Sequence, residues 1–263
     1  MLPSTLEETI ARRLMDYGKR ISHLERLEGG GGFMGNEYHP DRPPGGANDD
    51  EFQSTIINPA WTIGGALAPG AIDWFEAGAV DKYDLTQMAG KLMLQTDNAG
   101  GGLLATNAFL RKPFVPGAGE FSVVCKMHVP MYALAGPTLF GNLFVSDDVV
   151  LTNDRHIVAG LRDFSNAPAI FHNAAGSPLV MGADIWQSVL TIYAAIIRDG
   201  ATIYQFISLD GMNWWNLGTS ANITVNYLWI GIEQSAAQTP RPVIIYDWVR
   251  TYASATLTVG ANP

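Results

Sequence analysis

The residues able to do chemistry are few and scattered. Retaining glycoside hydrolysis needs an acid and a nucleophilic carboxylate about 5 Å apart, and a strand brings two acids together only when they share a face. After residue 53 the glutamates are Glu76, Glu120 and Glu233, each in a different segment, and Asp73-Trp74-Phe75-Glu76 puts its two acids on opposite strand faces. A cross-strand pair is the one hydrolytic route left open. No Gly-x-Ser-x-Gly elbow occurs. His23, His39, His128, His156 and His172 lack metal-ligand spacing and read as surface or hydrogen-bonded structural residues. The one cysteine, Cys125, excludes an intramolecular disulfide and a multi-cysteine zinc site.

Aromatic rings are the better candidates. Trp186, Trp214, Trp215 and Trp229 offer flat apolar faces on which a sugar ring stacks, with Asp210, Asn213 and Asn216 nearby to form hydrogen bonds. The Asp210-Gly211 turn is expected to project Asn213, Trp215 and Asn216 from a hairpin. Trp61, Trp74 and Trp248 sit among strand signals and read as core.

The elements that must position these residues follow from composition and periodicity. In 263 residues, 47% are hydrophobic and only 16% charged, against roughly 25% charged in an average soluble domain. That favours a packed assembly. The net charge is −9 with the basic residues dispersed, which argues against nucleic acid as a partner. The amino terminus lacks the basic and apolar regions of a secretion signal. No apolar run approaches the ~20 residues of a membrane helix, so no membrane insertion is expected.

Residues 1–28 are read as an oligomerising helix. Ser4 with Glu7, and Thr5 with Glu8, fit the capping-box pattern, and Gly29 supplies the stop. Ile10, Leu14, Tyr17, Ile21 and Leu24 are spaced 4, 3, 4 and 3, the seam of a short coiled coil; an amphipathic helix docked on its own domain is the other reading. Residues 29–48, from Gly29-Gly30-Gly31-Gly32 to Pro43-Pro44-Gly45-Gly46, form a Gly/Pro-rich linker. Residues 49–263 have an all-β texture, with strands expected at 72–76, 91–96, 121–129, 138–146, 156–162, 169–172, 189–198, 202–208, 227–233 and 243–252. In one of these, Phe121, Val123, Cys125, Met127 and Val129 share a face, which makes Cys125 a core thiol. Asp199-Gly200 has the residues of a type I′ hairpin turn. About ten strands without an internal repeat fit a mainly β, two-sheet antiparallel sandwich.

Several segments carry a resemblance. Asp49-Asp50-Glu51-Phe52-Gln53-Ser54 with Trp61 resembles the opening strand of concanavalin A-like lectin/glucanase jelly rolls, particularly those related to β-xylosidase accessory domains and laminin G modules. Gly90-Lys91-Leu92-Met93-Leu94-Gln95 looks like the second strand, and Ser208-Leu209-Asp210-Gly211-Met212-Asn213-Trp214 like the Ser-x-Asp-Gly-x-x-Trp hairpin. Trp229-Ile230-Gly231-Ile232 and Tyr246-Asp247-Trp248-Val249-Arg250 look like the closing strands. The resemblance implies a jelly-roll sandwich whose concave face often binds sugar. The Glu-x-Asp-x-x-Glu or Glu-x-Asp-x-Glu of its glucanases is absent here. Relatives of this fold often clip the chain ends with one calcium ion, for which Asp49 or Asp50 and Asp247 are the matching donors; no other cofactor is expected.

Helix, linker and sandwich together also resemble, in layout, the fibres and decoration proteins of bacteriophage particles. The expectation is a non-enzymatic structural protein of the virion, a homotrimer that contacts other virion proteins and touches cell-surface glycans. The alternative is a carbohydrate-active accessory or glycoside hydrolase domain of a bacterial enzyme system.

Overall fold

The computed structural model describes residues 49–64, 67–72, 81–95, 108–130, 139–147, 149, 154–162, 167–172, 189–211, 214–234, 243–253 and 255. The expected helix with Ile10, Leu14, Tyr17, Ile21 and Leu24, the linker, Trp186 and Asn213 lie outside them. In chain order the strands are β1 (Thr62–Gly64), β2 (Ala68–Pro69), β3 (Lys82–Asp84), β4 (Leu92–Gln95), β5 (Ala108–Pro113), β6 (Phe121–Pro130), β7 (Leu139–Ser146), β8 (Asp154–Arg162), β9 (Ala167–His172), β10 (Val189–Asp199), β11 (Thr202–Ser208), β12 (Trp215–Ala221), β13 (Tyr227–Gln234) and β14 (Val243–Tyr252). They form a six-stranded sheet, β1-β5-β13-β7-β8-β9, and an eight-stranded sheet, β12-β11-β10-β6-β14-β4-β3-β2. No described residue is helical.

Alternating apolar side chains decide the layering. On β6, Phe121, Val123, Cys125 and Met127 turn into one core shared with Ile192 and Ala194 of β10 and with Leu143, Leu228 and Ile230 of the opposite sheet. The expected face is therefore the core face. Burial pushes the Cys125 thiol up to about 12, so it acts as a small apolar filler. The two sheets are also joined by one phenol. Tyr246 of β14 accepts from the backbone N–H of Asn142 at 3.0 Å and of Gly231 at 3.1 Å. Its single proton is shared between the carbonyls of Gly231 at 2.6 Å and Asn142 at 2.8 Å. Gly231 is required where backbones crowd, since a Cβ there would stand 2.8 Å from the Ala108 carbonyl.

Four sequence expectations change. β2 and β3 pair in parallel, while the other pairings are antiparallel. Residues 49–54 form no strand beyond a single bridge, Asp50 to Val249. Ile72 is not in a strand, and 73–76 lie outside the described residues. Asp199 pairs with Thr202, so the β10–β11 turn is centred on Gly200-Ala201, with positive φ only at Gly200 (57°). That is the type II′ pattern, not type I′, because only the first central residue is left-handed.

Candidate functional site on the outer face of the eight-stranded sheet

The outer face of the larger sheet is organised by a fault in β14. Pairing with β6 slips between Tyr246 and Trp248, which makes Asp247 a bulge residue. Strict alternation would send Trp248 inward with Tyr246. The bulge instead leaves Tyr246 and Val249 in the core and turns Trp248 outward, beside Tyr193, Val124 and Trp214. Trp248 is thus buried as expected, but on the far side of its sheet.

Asp247 joins it outside. Its Oδ1 meets the Lys91 ammonium, and its Oδ2 lies 3.3 Å from Lys126 Nζ and 3.1 Å from His128 Nε2. His128 Nδ1 is 2.9 Å from the Thr191 hydroxyl of the neighbouring strand, which orients the ring. Burial alone would raise the Asp247 pKa, but the hydrogen bond and charge of His128, then those of Lys91, hold it well below the usual carboxylate range. Three basic side chains thus surround one acid at a partly solvent-reachable spot, with Lys91 27% and Asp247 11% exposed. Lys126 also lies over the Tyr193 ring at 5.4 Å, and Arg250 over the Trp248 indole at 4.4 Å.

The same face carries a flat aromatic pair. Ile203, Gln205 and Ile207 of β11 turn inward, leaving Tyr204 and Phe206 outward, half-buried and stacked with centroids 6.1 Å apart at 21°. Asn216 of β12 stands opposite Phe206 in the register. It is exposed, and its Oδ1 accepts the Gly218 N–H at 2.9 Å.

The sequence-selected residues separate. Trp215 is 42% exposed, but it pairs with Ile207, whose side chain faces the core. Trp215 and Asn216 therefore project from opposite sides of edge strand β12. Asp210 is held in its turn by the Ser208 hydroxyl, which donates to its Oδ1 at 2.9 Å and accepts the Gly211 N–H at 2.8 Å. Trp214 is buried in the outer-face cluster, and its indole N–H has no hydrogen-bond partner among the described residues. Trp229 is only 1% exposed, donates to Ser146 Oγ at 2.8 Å and offers no surface for stacking. Sequence reasoning missed Lys91, Lys126, His128, Tyr204 and Phe206. Period-2 alternation with β6 as reference places the last four on this outer face, which was the available signal.

Of the sequence-selected glutamates, Glu76 lies outside the described residues and the other two lie on separate elements. Glu120 Oε2 accepts the Ala255 N–H at 3.3 Å, and Glu233 lies on β13 in the other sheet. Glu51 forms a two-pronged ion pair with Arg250, at 2.7 and 3.1 Å. Asp50 and Asp247 do not fit calcium. Asp50 accepts the Phe52 N–H at 2.9 Å and the Trp61 indole N–H at 2.7 Å, so its oxygens face donors, while those of Asp247 face cations. A calcium site needs 6–8 converging oxygens, and no group of three or more His, Cys, Asp or Glu able to hold a metal occurs among the described residues. The first and last described segments are instead tied by the backbone bridge from Asp50 to Val249, by Glu51 with Arg250, and by Asp49 Oδ1 accepting the Thr251 N–H at 2.8 Å.

No family model and no curated protein matches the chain in sequence. Solved structures share its fold. A Bacteroides ovatus xyloglucan-locus protein, GH43B, superposes with a TM-score of 0.52 at 14% identity, over 78% of this chain and 39% of its own. The xylan β-1,4-xylosidase of Bacillus halodurans C-125 gives 0.52 at 12% identity, over 81% and 41%. The CBM2 module of the evolved Dit of Lactobacillus casei BL23 phage J-1 gives 0.52 at 8% identity, over 79% and 95%. The chain spans about two fifths of those two bacterial proteins, and at these identities the likeness is one of fold: a two-sheet β-sandwich similar to part of a xylosidase and to a phage module.

Proposed function

We propose that this chain is a non-catalytic, glycan-binding β-sandwich of the concanavalin A-like kind, carried on a phage virion as a fibre or decoration protein. The observation that carries the binding role is the Tyr204–Phe206 pair, half-buried, stacked and paired across strands with Asn216. Two parallel rings with an adjacent amide suit a pyranose, whose apolar face packs on the rings while its hydroxyls meet the amide. The phage Dit module, matched over 95% of its length, supports the virion setting. The bacterial enzyme setting is the second reading, favoured by the fold shared with the two longer bacterial chains.

Adsorption to host-envelope polysaccharide, measured alongside reducing-sugar release, tests this reading. Tyr204→Ala and Phe206→Ala are expected to lower adsorption about tenfold each, while Trp215→Ala, on the other side of the edge strand, leaves it unchanged. Sugar release that disappears in Glu120→Gln or Glu233→Gln moves the enzyme reading to first place. Light scattering of the full chain is expected to give three times the 28.4 kDa of one chain; a monomer mass removes the trimeric appendage.

A further inference from the structure

We infer that the outer face of the six-stranded sheet holds a second binding site, centred on Arg111, that takes the carboxylate of an acidic sugar. The site lies on the other sheet from Tyr204 and Phe206 and goes beyond the reading above. On β5, Ala108 and Leu110 turn into the core, so Phe109 and Arg111 turn outward. The Arg111 guanidinium carbon lies 5.0 Å from the centroid of the Trp229 ring and 5.3 Å from that of Tyr227, both on the neighbouring strand β13. That platform is fixed, because Trp229 donates to Ser146 Oγ at 2.8 Å and packs against Phe109 with centroids 4.9 Å apart. Arg198 and Arg250 also lie over aromatic rings, but their donors are used, by the Gly119 carbonyl at 2.8 Å and by the Glu51 carboxylate. Arg111 has neither an acid nor a hydrogen-bond acceptor among the described residues. A guanidinium held by two rings with its N–H fork unfilled can grip a planar oxyanion with two parallel bonds at little ordering cost.

The neighbours of Arg111 decide the ligand. Thr62 of edge strand β1 stands opposite Arg111 in the register and is exposed, so its hydroxyl lies on the same face. Tyr227 is half-buried beside the guanidinium, and neither hydroxyl has a hydrogen-bond partner among the described residues. Gly64 stands opposite Phe109, and a Cβ there would collide with the Phe109 ring, so this half-buried ring lies across the glycine. Phe109 and Arg111 are two residues apart on one strand face, about 7 Å. One pyranose bearing a carboxylate spans them, with its apolar face on Phe109 and its hydroxyls toward Thr62 and Tyr227. Charge selects carboxylate over phosphate. One guanidinium balances one carboxylate, whereas a phosphate monoester brings roughly 1.5 to 2 negative charges to a chain already at −9.

The experiment is calorimetric titration of the full chain with tetragalacturonate, its fully methyl-esterified twin and a phosphorylated mannotetraose. The ester keeps the rings and removes the charge. The acid should bind about tenfold more tightly than the ester, roughly what one charge-assisted contact supplies. Arg111→Gln should erase that difference, and Arg111→Lys, which keeps the charge but not the fork, should recover only part of it. Thr62→Val, at an exposed edge position, should weaken acid binding about threefold with an unchanged urea midpoint, which separates a lost contact from a lost fold. Tyr204→Ala, on the other sheet, should leave the acid-to-ester ratio as it is. Equal binding of acid and ester, or a difference that survives Arg111→Gln or disappears in Tyr204→Ala, overturns the Arg111 site. Tighter binding of the phosphorylated probe than of the acid overturns the carboxylate assignment. Failure of acid and ester alike, with the wild-type chain folded, overturns this inference and leaves the Tyr204–Phe206 reading to the adsorption assay.

Discussion

Removing one oxygen from Tyr246 tests how the two sheets are held together. The hydroxyl is fully buried and touches the N–H and C=O of Asn142 and of Gly231, residues that face one another across β7 and β13. Burial of the phenol and the nearby Cys125 push its pKa far above the ordinary tyrosine range, so it is a neutral hydroxyl at every workable pH. Tyr246→Phe keeps the ring and its packing but strands two donors and one acceptor in a dry core. An unmet buried group costs about 1–3 kcal/mol, and partial re-pairing of the two strands recovers some of it, so a loss of about 2–4 kcal/mol is expected. For a domain of this size that lowers Tm by roughly 5–15 °C. Urea unfolding should show a lower midpoint at unchanged m, since the area exposed on unfolding is the same. Tyr204→Phe, whose hydroxyl is on the outer face, should move the midpoint by less than about 0.5 kcal/mol. A loss below about 1 kcal/mol for Tyr246→Phe would refute the reasoning, because Asn142 and Gly231 would then pair directly and the phenol would add nothing.

Two further perturbations follow from charge. Lys112 of β5 is buried against the Trp61 ring at 4.4 Å, and desolvation lowers its pKa from 10.5 to about 8 although Asp50 and Asp49 pull it upward. The folded state therefore sheds this proton before the unfolded state does, so stability should rise between about pH 8 and 10.5. Lys112→Met should flatten that rise, and a denaturation series at pH 7, 9 and 10.5 reads it; a rise unchanged in the variant assigns it elsewhere. Asp247 has the opposite sign, because its folded pKa is depressed. Its contribution is complete above about pH 4 and is lost as the pH falls further, so the stability difference between wild type and Asp247→Asn should narrow on acidification. A gap as wide at pH 2.5 as at pH 7 contradicts the ion cluster.

The long strands were legible because their apolar residues alternate against a core: Thr202–Ser208 and Val243–Tyr252 occupy the expected spans. The missed strands had no such signal. β1 and β2 are three and two residues long. β5 carries Arg111-Lys112-Pro113, where Lys112 is a buried charge that a polarity pattern reads as surface. β12 contains Asn216, Gly218, Thr219 and Ser220, turn residues that here fill an edge strand. The acids were legible only by absence. Their separation along the chain excluded a one-strand pair, but Asp247 with Lys91 joins residues 156 positions apart, a contact that sheet order creates and spacing does not.

The sequence-selected site residues separate for a related reason. Trp215 is exposed, as a stacking surface requires, yet a strand sends neighbouring residues to opposite faces, so Trp215 and Asn216 project from opposite sides of β12. What gathers groups on one face is the shift of register in β14. A bulge gives up one ladder position and places two successive residues, Asp247 and Trp248, on the same side. On either side of that shift, Tyr246 and Val249 are gripped by the core, Tyr246 through four backbone groups of the opposite sheet. A slip of one residue would bury Asp247 and withdraw the Tyr246 hydroxyl, so core packing itself fixes the direction of the carboxylate that gathers Lys91, Lys126 and His128.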